Sequence, residues 1–405
     1  MKLVYDGIRE LLTLEPARRK EGRHAEEADL GIIENAAVVV ERGKILWLGP
    51  ASTLPAEYKN EKRESRDGVV WLPALTECHT HLLYAGNRFQ DYARRAAGKT
   101  YQEIAAEGGG ILSTLKHTRA ASREQLQAGA AQHLMTFAHY GVGSVEIKSG
   151  YGLTLESEIL ALECVPLLQT NTSTKLVATF MPAHATPPEF KGRTEAYVDE
   201  MISSWIPEVA KRKLAVFFDV FVEERFFSVA QTKRLCEAAL ENGFRIKLHC
   251  EQFTDLGSTA LAVDLGATSC DHLDHISEAN VAKLAKSQTV AVLLPGASVF
   301  TGTPYPPARR LIDAGARVAL STDFNPGTCP THNLPLMTTL ACSQMKMTMP
   351  EAIVAITYNA AAALGLQDEC GTLHVGGALR VCEAKAESYQ AIPYSFGEVA
   401  TRLLL

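Results

Sequence analysis

The chain is predicted to be α/β, a (β/α)8 barrel with a small β-sandwich formed from both termini. Three observations predict this. Eight short runs rich in Val, Ile, Leu and Phe recur along the sequence, helix-like stretches lie between them, and the two ends fall outside that rhythm. Strand alternating with helix argues for parallel strands with helical crossovers, and eight such units close into a barrel. The 405 residues, 46% hydrophobic and 21% charged, suffice for one large barrel with an accessory piece.

In chain order, residues 37–41 and 45–48 are apolar runs joined by Arg42-Gly43-Lys44, the pattern of a β-hairpin. The barrel runs follow at residues 71–77, 142–147, 176–181, 216–221, 245–248, 268–270, 290–294 and 317–321. Between them, residues 123–140, 155–169, 195–211, 228–241 and 254–265 place apolar residues at helical intervals. Residues 371–382 hold strand-like pieces separated by Gly376-Gly377, which suits a partner for the first hairpin. The expected division is a composite sandwich domain from residues 1–70 and 365–405, and a catalytic barrel over 71–364.

Composition excludes several classes. Forty Lys and Arg against 46 Asp and Glu leave a net charge of −6 with no long basic block, so no nucleic-acid partner is expected. The longest apolar runs, residues 214–222 and 290–295, are far too short to cross a bilayer, and no membrane partner is expected. Residues 1–6 reach an acid before the apolar region of a secretory signal could form, so the expected location is cytoplasmic. Nine cysteines, an odd number without a C-x-x-C pair, are expected to be reduced thiols.

In a parallel barrel the C-terminal strand ends converge on one mouth, so the polar residues that end these runs form the candidate site. His79-Thr80-His81 follows the first run, His184 the third, His249 the fifth, His272 the sixth and Asp323 the eighth. Imidazole and carboxylate are ligand types for a borderline transition metal. Because strand side chains alternate faces, His79 and His81 point the same way and Thr80 points away. One strand-end histidine is more often structural; five on one mouth with an Asp point to a metal. The same alternation turns Cys78 and Cys250 away, and packing is their expected role. Neither a G-x-S-x-G elbow nor a G-x-x-x-x-G-K-[ST] phosphate loop occurs. Arg88 has the planar fork that holds a carboxylate, and Tyr151 on a Gly-flanked loop could add a donor. The bland alternative for Arg88 is a surface salt bridge with Asp91.

Residues 72–81 (LPALTECHTH) resemble the first-strand signature of the amidohydrolase superfamily, metal-dependent hydrolases on a (β/α)8 barrel with a terminal β-sandwich. Residues 85–88 (AGNR), 108–114 (GGGILST), 146–153 (EIKSGYGL), 181–185 (MPAHA) and 321–327 (STDFNPG) together resemble the imidazolonepropionase family of histidine degradation. The resemblance implies that His79, His81, His249 and Asp323 hold one zinc or iron ion per chain. It implies that Arg88, Tyr101, Tyr151, His184, Gln252, Asn325, Gly327 and Thr328 meet the substrate, with His272 beside the attacking water. The implied reaction opens the cyclic amide of 4-imidazolone-5-propanoate, a small anionic molecule, to N-formimidoyl-L-glutamate. A homodimer is the assembly often found among such relatives.

On that reading Asp323 is suited by type to ligate and to accept the water proton, His272 to orient or relay it, and His184 to donate to the developing oxyanion. Two-metal relatives use a modified lysine at the end of the fourth strand. Residues 219–223 (DVFVE) offer none, and Lys148, on the second strand, reads as a buried charge partner or loop anchor. Two rivals stay open. A purine or pyrimidine deaminase on the same barrel would carry Glu where Gln252 stands, and a non-catalytic scaffold relative would have lost metal ligands.

Overall fold

The computed structural model describes residues 2–99, 103–104 and 107–404. Its centre is a sheet of eight parallel strands in sequence order: Leu75–Glu77, Val142–Lys148, Lys175–Ala183, Phe217–Val222, Arg245–Cys250, Ser269–His272, Val290–Leu293 and Val318–Leu320. Each predicted run contributes one of them. The strands read as near-continuous apolar runs because both faces of the sheet are covered. Helices begin where a hydroxyl can cap them. Ser122, Thr154 and Ser228 accept the N–H of the third helical residue of Arg123–His139, Leu155–Gln169 and Val229–Glu241. Leu126, Ala130, Leu134 and Phe137 of the first of these join Val142, Val145 and Ile147 in the main apolar core.

Two helical stretches depart from expectation. Residues 195–211 are helical throughout, but Thr194–Glu200 and Ile206–Arg212 are joined by the wide turn Met201–Trp205. Pro207 has no N–H and its ring crowds the carbonyl four residues back, which a widened turn relieves. The helix expected over 254–265 starts later, as Ser258–Asp264, because Gly257 just before it holds a left-handed backbone at φ 75°, outside the helical region.

The ladder is open between the first and eighth strands. Pairing there reduces to the parallel bridge of Thr80 with Phe324 and one bond from the His81 N–H to the Phe324 carbonyl at 2.9 Å. Fully buried Glu77 closes the seam instead. Its carboxylate accepts from Ser321 Oγ, from the Thr322 N–H at 3.2 Å and from the His79 N–H at 3.3 Å. Unpaired buried donors cost ~1–3 kcal/mol each, so Glu77→Leu is expected to lower the unfolding free energy by about 3 kcal/mol or more, read by denaturant titration.

A second, seven-stranded sheet is built from both termini: Lys2–Leu12, Ile32–Glu41, Lys44–Pro50, Lys62–Ser65, Val69–Pro73, Val381–Lys385 and Thr401–Leu404. The hairpin over 37–48 is present as an antiparallel pair. The run over 71–77 proves to be two strands. Trp71 lies fully buried in the terminal sheet, where its Nε1 donates to Glu383 at 2.8 Å, and only Leu75–Glu77 joins the barrel. The switch falls between neighbours: the Ala74 N–H bonds the carbonyl of Arg380 just before the terminal strand Val381–Lys385, and the Leu75 N–H bonds that of Gly141 beside the barrel. All nine cysteines are free thiols. No helix among the described residues is long and apolar enough to cross a membrane.

Candidate metal centre and active site

The strand ends bring ligating nitrogens of His79, His81 and His249 within 4.8 Å of one another. His81 Nε2 and His249 Nε2 are 3.3 Å apart, and Asp323 Oδ1 lies 3.5 Å from His79 Nε2 and 3.8 Å from His81 Nε2. All four residues are buried. Thr80 turns away, as the H-x-H alternation predicts, and donates to the Glu146 carbonyl at 2.6 Å. His79 Nδ1 lies 2.6 Å from Asp271 Oδ2 and His249 Nδ1 3.1 Å from Asp219 Oδ1. Each Nδ1 carries its proton toward a carboxylate, so each Nε2 turns a lone pair to the common centre.

Burial, reinforced by Lys148, holds the His79 imidazolium well below its ordinary 6.5, and burial with His184 does the same for His81. Neutral imidazole is the ligating form. His79 Nε2 is buried with no hydrogen-bond partner. Two Nε2 atoms facing each other at 3.3 Å, and a His79 Nε2 unpartnered among the described residues beside the Asp323 carboxylate, would be satisfied by a shared cation, so the donor set fits a metal ion. Burial outweighs the hydrogen bonds from Thr328 and Asn325 and pushes Asp323 up to about 8, a penalty that a neighbouring cation would reverse. Its backbone is left-handed at φ 57°, which aims Oδ1 at the centre while Thr328 Oγ1 donates to Oδ2 at 3.2 Å.

Lys148 is fully buried and pairs with Asp219 at 2.7 Å and Glu146 at 3.0 Å, a charge partner inside the barrel. Burial opposes its charge, yet Asp219, Glu146 and Asp271 together keep its pKa raised. Cys78 and Cys250 lie in apolar clusters, and burial pushes both thiols up.

A cavity of about 720 Å³ opens beside the centre, lined by His81, Arg88, Tyr151, His184, Gln252, His272, Asp323, Asn325 and Thr328 among others. Tyr101 lies outside the described residues. Arg88 is buried, its Nε donates to Thr114 Oγ1 at 2.8 Å, and its Nη2 has no hydrogen-bond partner among the described residues. The surface pair with Asp91 does not form; Asp91 instead accepts from the Gly110 N–H at 2.8 Å. Gly327 packs so closely that a Cβ would overlap Arg88 Nη1. Gly327→Ala is therefore expected to displace the guanidinium and raise KM about 10-fold in steady-state assays, with little change in melting temperature.

Asn325 lines the cavity, and its polar atoms also bind within its own turn. Its Nδ2 donates to the Asp323 carbonyl and to Thr328 Oγ1, both at 2.7 Å, and its Oδ1 accepts from the N–H groups of Gly327 and Thr328, both at 2.8 Å. Two donors and two lone pairs are thus used within the turn, so Asn325 shapes the loop that presents Gly327 and Thr328. His184 stacks on His81 with ring centroids 4.9 Å apart and donates from Nδ1 to the Gly150 carbonyl at 3.0 Å. Gly150 holds φ 109°, and a Cβ there would press on the Met181 carbonyl and on His184. The His272 ring lies 5.3 Å from that of His249 and 5.6 Å from that of His79. Glu251 faces away and accepts from the Thr259 N–H at 3.0 Å, so it supports a helix start.

Sequence reasoning missed Asp219 and Asp271 as the residues that orient the ligands. The signal was present as charges at 77, 146, 148, 219, 247 and 271 inside otherwise apolar strands.

Residues 88–378 match the profile of the amidohydrolase family. The chain is 45% identical to an imidazolonepropionase of Bdellovibrio bacteriovorus over 100% of its own length and 95% of the relative's. It is 44% identical to one from Cupriavidus pinatubonensis, covering 90% and 86%, and 41% identical to one from Symbiobacterium thermophilum, covering 98% and 93%. Among solved structures, the fold is similar to an atrazine chlorohydrolase of Arthrobacter aurescens complexed with zinc and atraton, with TM-score 0.68 at 14% identity over 96% and 91% of the two chains. It is also similar to a zinc-bound adenosine deaminase from Xanthomonas campestris, with TM-score 0.68 at 15% identity over 98% and 90%. The chain belongs to the amidohydrolase family and, within it, to the imidazolonepropionases.

Proposed function

We propose that the chain hydrolyses the cyclic amide of 4-imidazolone-5-propanoate to N-formimidoyl-L-glutamate, at one zinc or iron ion held by His79, His81, His249 and Asp323. The observation that carries this reading is one cavity lined both by His81 and His249 of the converging imidazoles and by a buried Arg88 whose Nη2 has no hydrogen-bond partner among the described residues. Bound there, the ion supplies Lewis acidity toward a carbonyl oxygen and lowers the pKa of a water. Three nitrogens and one oxygen accept zinc or iron, and availability decides between them.

The remaining work falls to side chains. Arg88 holds the propanoate tail, with Tyr151 beside it and Thr328 at the other wall. Asp323 accepts the proton of the attacking water, and His272 orients that water. Water adds to the ring carbonyl, the ring C–N bond breaks, and the departing nitrogen takes the proton, leaving a carboxylate and an amidine. His184 takes a role other than the oxyanion donor first expected. Its Nδ1 proton goes to the Gly150 carbonyl and burial lowers its pKa to about 3, so Nε2 is an acceptor. It therefore receives the ring N–H of the substrate.

The direct test supplies enzymatically generated 4-imidazolone-5-propanoate to metal-loaded protein and follows its loss together with the appearance of N-formimidoyl-L-glutamate. No turnover overturns the reading. His272→Ala with metal retained is expected to lose about 10²- to 10³-fold in kcat, and a near-normal rate removes its role. Deamination is disfavoured because Gln252 cannot carry protons as a Glu would. All these site residues fall within 71–364. A cytoplasmic location and a homodimer accompany this reading, checked by cell fractionation and by mass in solution.

A further inference from the structure

We propose that Lys148 is a positioning residue of the metal centre, whose ammonium ties together the two carboxylates that orient His249 and His79. Its Nζ lies 2.7 Å from Asp219 Oδ2, 3.0 Å from Glu146 Oε2 and 3.9 Å from Asp271 Oδ2. Asp219 faces His249 Nδ1 at 3.1 Å and Asp271 faces His79 Nδ1 at 2.6 Å. The path His249, Asp219, Lys148, Asp271, His79 thus runs through hydrogen bonds except at Lys148 to Asp271, an ion pair at 3.9 Å, and every member is buried. A carboxylate away from water takes its orientation from its few partners. Without the ammonium, Asp219 keeps only His249 among these partners, and nothing links it to Asp271.

Lys247 provides an internal comparison. It is equally buried, and its Nζ reaches Asp271 at 3.6 Å and Glu146 at 3.7 Å. Its hydrogen bonds, however, go to the carbonyls of Cys78 at 3.2 Å and Ala363 at 3.4 Å. Of the two orienting carboxylates it meets only Asp271. The two lysines thus match in charge and burial and differ in whether they bridge the pair. General loss of a buried cation affects both; loss of the bridge affects Lys148 alone.

The inference rests on the ligand set proposed above, so the experiment reads metal binding directly. Full-length chain is stripped with chelator and titrated with Zn²⁺ against a competing chromogenic chelator, for wild type, Lys148→Met and Lys247→Met, with apo melting temperatures taken in parallel. Loss of an outer partner of a ligand weakens metal binding by about 10- to 100-fold, which is the loss expected for Lys148→Met, with Lys247→Met clearly milder. Similar apo melting temperatures for the two variants would accompany that split. Wild-type affinity in Lys148→Met, or equal weakening in both, overturns the proposal. If Lys148→Met does not fold, Lys148→Gln carries the same measurement with the same two outcomes. Wild type that binds no zinc overturns the ligand assignment itself, a result distinct from the others.

Discussion

Asp323→Asn is expected to lower kcat by about 10³- to 10⁴-fold, the size of effect seen when a proton-transfer group is removed. Two functions are lost together. Asp323 Oδ1 faces His79 and His81 at 3.5 and 3.8 Å, and Oδ2 is held by Thr328 at 3.2 Å, so on the proposed mechanism one carboxylate both completes the donor set and takes the water proton. An amide keeps the shape but offers a weaker donor and takes up no proton. Metal content and kcat at saturating metal separate these losses. A variant that binds metal and keeps kcat within about tenfold of wild type would show that another group accepts the proton.

Arg88→Met is expected to raise KM about 30- to 150-fold with kcat little changed, the signature of binding lost equally from ground and transition states. The range follows from charge-assisted hydrogen bonds of ~2–3 kcal/mol. Arg88→Lys should recover little, because a point charge lacks the fork that reaches Thr114 on one side and, on the proposed reading, the propanoate on the other. A substrate analogue with the propanoate converted to its amide supplies the check. Its KM should be high and the same in wild type and variant; a difference between them would mean that Arg88 acts on the ring.

Much of the site was legible because its rules are local. Two-residue alternation placed His79 and His81 on one face and Thr80 on the other, and polar residues ending apolar runs pointed to His249, His272 and Asp323. Residues were harder to read where partners come from other strands. Asp271 stands opposite His249 in the ladder and Asp219 opposite Lys247. That register depends on how neighbouring strands slide past one another, and no spacing within either strand records it. His184 was expected to donate to the oxyanion, whereas the Nδ1 contact to the Gly150 carbonyl on a different strand's loop, which bears on its tautomer, could not be read from spacing. Asn325 was expected at the substrate, and the four hydrogen bonds by which it also closes a turn are displayed only by the folded backbone. The run over 71–77 looked continuous because apolarity does not reveal that Trp71 and Leu75 are buried in different sheets.

Sequence by itself determined the barrel class, the order of its strands, and which imidazoles and which acid meet at the mouth, because periodicity and chain direction settle those. Tertiary structure decided which carboxylate orients which histidine, which nitrogen keeps its proton, that Glu77 closes the barrel seam, and that Lys148 stands between Asp219 and Asp271. The reason is physical: a hydrogen bond or an ion pair depends on distances of a few ångströms between residues far apart in the chain, and those distances exist only after the strands have paired.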